Sequence, residues 1–472
     1  MRFPRILPLA GLCLLVALTA FGLLPPGPRQ ASASGVIAVA AGGDQTCTLN
    51  TAGGVQCWGS NSHGQLGDGT IFDHIAPAYV LGLSSGVAAI ATGGTHFTCA
   101  LTTAGGVKCW GSNVSGWLGD GTTMERTVPV DVVGLESGVA AITTGGSHTC
   151  ALTTEGGIKC WGANFAGQLG DGTTTNSAIP VDVVGLESGA IAVAAGVFHT
   201  CAATTVGGVQ CWGNNTSGEL GNGTLTASIT PIAVTGLSGS MIAVAVGSAH
   251  TCALTTAGGV ECWGNNIWGQ LGSVTTDSCG FPNTQCSTAP VEVASLRSGV
   301  AALVTGGSHT CALTTEGSVL CWGNNVDGQL GDGTTSPRVT PEAVIGLSSG
   351  GAAVGAGAFH TCAATTEGGL WCWGTNFSGK LGDGTLFGQP TPVDVGGLKP
   401  AGDIDCDGDV TVIDALFVLR FVANLQPFAD CIATADVNCD GITDAMDGLL
   451  ILRHVAALPV ALPEECPPIG GA

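Results

Sequence analysis

Two acidic segments near the C-terminus carry the residue types best suited to hold a cation. Asp403, Asp405, Asp407 and Asp414 stand at positions 1, 3, 5 and 12 of a loop with Gly408 at position 6. The pattern returns 33 residues later as Asp436, Asn438, Asp440 and Asp447, with Gly441 at the bend. Hard oxygen donors at this spacing wrap a calcium ion, completed by Asp409 and Thr411 in the first loop and Ile442 and Asp444 in the second, at positions 7 and 9. Position 12 holds Asp where Glu is usual. The duplication makes two calcium ions the expected cofactor. No catalytic set emerges: there is no nucleophile motif and no phosphate loop, and Glu155, Glu316 and Glu367 fall in turns, so an enzyme is not expected.

A helix should follow each loop. Ile413, Leu416 and Phe417, and at the matching places Met446, Leu449 and Leu450, lie three and four residues apart, as on one helix face. Pro400 and Gly402 prevent a helix before the first loop. This loop-then-helix duplication over 401–466 resembles the dockerin type I module. The resemblance implies that calcium folds the module, and that loop positions 10 and 11 with the following helix engage a cohesin on a partner scaffold. The matching residues are Val412, Ile413, Leu419 and Arg420, then Ala445, Met446, Leu452 and Arg453. Cys406, Cys431, Cys439 and Cys466 depart from the usual module. A helix of about 15 residues travels roughly 22 Å, so antiparallel helices would bring Cys466 to Cys406 and Cys431 to Cys439. A stand-alone calcium-stabilised end domain is the competing reading.

Cysteines also organise the rest of the chain. Cys47 and Cys57, Cys99 and Cys109, Cys150 and Cys160, Cys201 and Cys211, Cys252 and Cys262, Cys311 and Cys321, and Cys362 and Cys372 are each ten apart, with Trp-Gly after the second. First cysteines recur every 51 residues, apart from 52 once and 59 once. A turn centred on Ala104 would set Leu101 opposite Val107 and Cys99 opposite Cys109, close enough to bridge. Zinc is the alternative, but the Cys-x2-Cys knuckle is missing. Seven hairpin disulfides are expected, and an eighth between Cys279 and Cys286 in an insertion from Ser273 to Ser287.

One period reads as four strands: Pro129 to Val132, Val139 to Ile142, His148 to Thr153 and Ile158 to Gly162, then a long loop through Asp171-Gly172. Four strands make a propeller blade, and seven blades close a ring. The first period lacks the Pro-Val-x-Val strand while the last ends on a spare one, Thr391 to Val395. That predicts a latch, with the spare strand completing the first blade. The fold is therefore expected to be mainly β, a seven-bladed β-propeller over 34–398 followed by a small α-helical calcium-binding domain over 399–472.

The repeated Gly-x-x-His-Thr, Cys-Trp-Gly-x-Asn and Gly-Gln-Leu-Gly-Asp-Gly-Thr elements resemble the regulator of chromosome condensation repeat family over 36–398, in the cysteine-bearing form of secreted bacterial proteins. The resemblance implies a seven-bladed propeller without one function, since members include nucleotide-exchange factors and a secreted β-lactamase inhibitor.

Composition narrows the partners. There are 34 acids against 12 bases, a net charge of -22, which repels a nucleic-acid backbone. Arg2 and Arg5 precede an apolar run from Ile6 to Leu24, and Ala31-Ser32-Ala33 offers a cleavage site, so 1–33 reads as a signal peptide. An uncleaved anchor is the alternative; after cleavage no membrane span is expected, and the product would be a secreted or cell-surface bacterial protein, monomeric, facing an extracellular protein. His148, His199, His250, His309 and His360 sit two residues before a first cysteine, His96 three before, and Gln45 takes the first place; a structural role is expected over a metal ring. His63, Trp117, Phe165, Trp268, Val326 and Phe377, with Phe72, Met124 and Phe387, vary between repeats in the long loops, where they would either meet a partner or cap the blade cores. The leading expectation is a protein-binding propeller docked through a cohesin-type contact. Its competitors are an inhibitor of an extracellular enzyme and a non-catalytic component of polysaccharide degradation.

Overall fold

The computed structural model describes residues 35–94, 96–275, 277–279, 285–396 and residue 451. They form seven antiparallel sheets, one per repeat: 36–79, 87–131, 139–182, 190–233, 241–292, 300–343 and 351–394. In the first blade β1 (Val36–Ala41), β2 (Gln45–Asn50), β3 (Val55–Gly59) and β4 (His74–Tyr79) lie side by side in chain order. The fifth blade adds a two-residue strand, Asp277–Ser278, from its insertion.

The hairpin register explains the cysteine spacing. Cys99 faces Cys109 and Leu101 faces Val107. All seven hairpin pairs are bonded as the spacing requires. Cys47 is joined to Cys57, Cys99 to Cys109, Cys150 to Cys160 and Cys201 to Cys211. Cys252 is joined to Cys262, Cys311 to Cys321 and Cys362 to Cys372. The Cys99 and Cys109 Cα atoms are 4.1 Å apart, close to the separation of a non-hydrogen-bonded cross-strand pair. Cys279 and Cys286 are bonded too. With every one of these sulfurs in a disulfide, none of them is left to ligate zinc.

The expected latch is absent. Gln389–Asp394 pairs with its own blade, Cys372 opposite Val393, and the first blade receives its fourth strand from His74–Tyr79. The Pro-Val strand thus ends a blade instead of beginning one, because the long loop returns the chain to the outer edge of the blade it has just left. Its prolines, such as Pro129 and Pro392, sit on that outer strand, where a missing N–H breaks no inner ladder. Closure instead uses contacts between the first and last blades: Val36 N donates to Gly368 O (3.2 Å) and Ala358 N to Gly42 O (2.9 Å).

Each core is shared by neighbouring blades. Trp161 of the third blade packs among Cys99, Leu101, Cys109 and Leu118 of the second. This placement repeats, so no blade buries its apolar face alone. The strand order leaves two unlike ends: the long loops between third and fourth strands emerge at one, the tight hairpin turns at the other. The expected helical calcium domain lies outside the described residues apart from residue 451, and the signal segment lies outside them entirely.

Candidate binding face

At every seam one loop carbonyl takes two hydrogen bonds from the next blade. Thr200 Oγ1 and Trp212 Nε1 both donate to Gln168 O at 2.9 Å. At the closing seam Thr46 and Trp58 do the same to Lys380 O, at 2.8 and 3.0 Å. Five seams add a histidine: Nε2 of His148, His199, His250, His309 and His360 lies 2.8–3.0 Å from the threonine hydroxyl of the following blade. That hydroxyl already donates to the carbonyl, so the imidazole must donate through Nε2–H. Each ring is neutral, and its Nδ1 has no partner. Burial holds His148, His199 and His250 down at about 3 and His309 at about 4, and pushes His360 well below its ordinary value, with Lys380 adding to the effect. These histidines are seam residues.

The remaining two seams differ. Gln45 Nε2 donates to Phe97 O at 3.0 Å. In the second blade Phe97 fills the histidine place, while His96 turns out with φ +60°. The single extra residue of that repeat is absorbed there.

One segment from each blade, at the end of its inner strand, surrounds an axial cavity of about 240 Å³ that no charged side chain lines. Its rim is a chain of backbone bonds between blades, including Gly94 N to Gly145 O (3.0 Å), Gly146 N to Gly196 O (2.9 Å) and Gly307 N to Gly357 O (3.1 Å). A Cβ on Gly145 would collide with Gly196 O and the His148 ring. The cavity opens at the long-loop end.

The long loops are built on a repeated asparagine. Asn61 Oδ1 accepts from Leu66 N (3.0 Å), and its Nδ2 donates to Asp68 and to Thr70 (both 3.1 Å). Burial alone would raise the Asp68 carboxyl, but bonds from His74, Thr70 and Asn61 win and hold it at about 2. Arg126 and Arg338 pair with Asp120 and Asp332 at 2.8 Å. The acids of the Asp-Gly-Thr turns therefore hold the loops in shape.

What varies is the loop tips. Phe72, Phe165, Phe198, Phe359, Phe377 and Phe387 are all exposed, Phe377 to 81%, and all lie at the long-loop end; Phe97 is the only other phenylalanine among the described residues. Met124, Trp268 and Val326 are exposed there as well. Trp117 is not a tip residue: it turns in against Phe97, centroids 5.8 Å apart. His63 is tied to Glu125 at 2.6 Å. Phe198 and Phe359 escape a reading of the sequence, although both stand directly before a seam histidine, where other repeats carry Asp44, His96, Ser147, Ala249 and Ser308. The opposite end carries Glu136, Glu155, Glu187, Glu316 and Glu367 in its short connections. Among the described residues no group of His, Cys, Asp or Glu is arranged to hold a metal. The calcium-loop residues Asp403 to Asp447, the partner residues Val412 to Arg453, and Cys406, Cys431, Cys439 and Cys466 lie outside the described residues.

Comparison with known proteins agrees with this architecture. The RCC1-like domain model matches 134–414, and two models of the regulator of chromosome condensation (RCC1) repeat match 52–101 with 104–152 and 36–65 with 87–116. The dockerin type I domain, a calcium-binding module, matches 401–456. Ultraviolet-B receptor UVR8 of Arabidopsis thaliana is 31% identical over 380 residues, covering 78% of this chain and 83% of the receptor. Human E3 ubiquitin-protein ligase HERC2 is 32% identical over 367 residues, 75% of this chain but 7% of the ligase. Among solved structures, human WBSCR16 superposes with a TM-score of 0.64 at 26% identity, covering 74% of this chain and 95% of that one. Prp20p of Saccharomyces cerevisiae, at TM-score 0.63 and 21% identity over 77% and 87%, shares the fold. With seven matching blades and these relatives, the chain belongs to the regulator of chromosome condensation (RCC1) repeat family.

Proposed function

We propose that this protein is an exported, non-catalytic propeller that binds a protein at its long-loop face and is docked through a calcium-dependent module at its C-terminus. The observation that carries the first part is the gathering of six exposed phenylalanines at one end of a rigid ring. Apolar groups presented on loops over a fixed scaffold mark a protein interface. Buried disulfides in every blade suit an oxidising compartment. UVR8, which this chain resembles along most of its length, is named as a receptor, a binding role.

The docking part is supported by the dockerin match over 401–456. The donor set fits calcium: Asp403, Asp405, Asp407, Asp409, Thr411 and Asp414, then Asp436, Asn438, Asp440, Ile442, Asp444 and Asp447, would supply hard oxygens, and neither loop places a thiol at a ligand position. Calcium, when bound, would order the loops and present Val412, Ile413, Leu419, Arg420, Ala445, Met446, Leu452 and Arg453 to a cohesin. The test is binding of the full chain to immobilised type I cohesins. Capture in calcium that is abolished by chelator, with the propeller still folded, is the expected result. Failure to bind any of the panel in calcium would remove the docking role and leave a calcium-stabilised end domain.

A further inference from the structure

At two seams of the long-loop end the side chain at the Gln place of one loop meets the side chain before the histidine place of the next blade. Gln65 Nε2 lies 3.1 Å from His96 Nδ1, and Lys380 Nζ lies 2.5 Å from Asp44 Oδ1. At the seams of blades three with four and six with seven the corresponding pairs are Gln168 with Phe198 and Gln329 with Phe359. A phenyl ring offers no acceptor of that kind. Gln168 and Gln329 are fully buried, each uses Oε1 on an amide of its own loop (Ala166 N at 2.9 Å, Asp327 N at 3.0 Å), and each leaves Nε2 without a partner. Gln270, in the same place, avoids this by donating to Asn265 Oδ1 at 2.8 Å.

The fold does not ask for phenylalanine here, since Asp44, His96, Ser147, Ala249 and Ser308 serve at the other seams. Both rings are partly exposed. Phe198 lines the axial cavity and meets Phe165 edge-on at 5.3 Å. Phe359 lies beside the loop of Phe377, its carbonyl accepting from Thr375 N at 3.0 Å. The surroundings are acidic: Arg126, Arg338 and Lys380 are taken by Asp120, Asp332 and Asp44, whereas Asp171, Asp327 and Asp383 face no cation among the described residues.

Building on the protein-binding reading, we infer that these two seams are equivalent contact points for a basic protein segment that seats an apolar side chain against Phe198 or Phe359 and brings a main-chain carbonyl to the Gln168 or Gln329 amide. Lysine or arginine flanking that side chain meets the carboxylates that face no cation and the face of the exposed Phe377 ring. Side-chain rotamer changes are common on binding, and one at the phenylalanine is the movement this contact requires.

The probe is a labelled twelve-residue peptide alternating Lys and Leu, read by anisotropy with the full chain, beside a Glu/Leu counterpart. Phe198→Ser with Phe359→Ser, which copies Ser147 and Ser308, should weaken the Lys/Leu peptide at least tenfold without lowering the melting temperature. Val206→Ser at the opposite end should change nothing. Equal affinity of wild type and the double variant, equal affinity for the Glu/Leu peptide, or no binding of either peptide to wild type would overturn the inference. A double variant that melts lower would show that the rings serve packing and would overturn it equally. Cohesin binding measured on the same samples separates the two ideas, because it tests docking without passing through either phenylalanine.

Discussion

The seams between blades and the loop tips above them are neighbours built on opposite rules. A seam repeats its chemistry around the ring: one tryptophan, one threonine and one loop carbonyl, joined at five places by a buried histidine. The tips hold to no single residue: the position after each loop asparagine runs Ser62, Val114, Phe165, Thr216, Ile267, Val326 and Phe377. Repetition marks where a blade must fit the next one, and variation marks positions the fold leaves free. Substitution should therefore cost stability at the seams and binding at the tips.

The largest break in that contrast should come from acid. The five seam histidines have folded values well below the ordinary 6.5, so the unfolded chain takes up protons first. Their contribution is complete above about pH 6.5 and is lost as pH falls toward 3–4. Lowering pH to 5 should cost about 2 kcal/mol for each of His148, His199, His250 and His309, and His360 adds in the same direction. The carboxyls of Asp68, Asp120 and Asp332, with depressed values, add their loss only below their unfolded value near 4. Thermal melts at pH 7, 6 and 5 should fall steeply, and His199→Gln, which imitates Gln45, should shallow the slope. Melting temperatures flat from pH 7 to 5 would contradict the buried neutral rings.

Next in size are the seam side chains. Trp212→Ala empties a site in the core of the third blade and should destabilise by about 3–5 kcal/mol. Thr200→Val keeps the shape but leaves His148 Nε2–H without an acceptor, for about 1–3 kcal/mol. Denaturant titration should rank them in this order. If Thr200→Val proves silent, the histidine is not donating to that hydroxyl.

The sequence displays the seams better than the tips. A ten-residue cysteine spacing fixes the hairpin register, from Cys47 with Cys57 round to Cys362 with Cys372, and a 51-residue period counts the blades. The period does not say where within a blade it begins, and the spare strand at Thr391 to Val395 is therefore open to being read as a latch. Nor does a cysteine-based alignment show that the extra residue near His96 is absorbed by a left-handed turn that leaves Phe97 in the seam. Phe198 and Phe359 are hidden for a related reason: their meaning depends on Gln168 and Gln329, which come from the preceding blade. Trp117 resembles a tip residue until its packing against Phe97 places it in a core.

The smallest expected effect is also the sharpest test of the contrast. Phe377 is 81% exposed and the Phe377 amide lies outside the loop's asparagine network, so Phe377→Ser should change stability by no more than about 0.5 kcal/mol. Its neighbour Asn376 holds the same loop through Leu381 N at 2.9 Å and Asp383 at 3.0 Å, and Asn376→Ala should cost about 1–3 kcal/mol. One residue apart, the two substitutions should be readily separated in a single set of melts. Equal losses would mean that tip and scaffold are one packed unit, and that an exposed phenylalanine on this rim needs no partner to explain it.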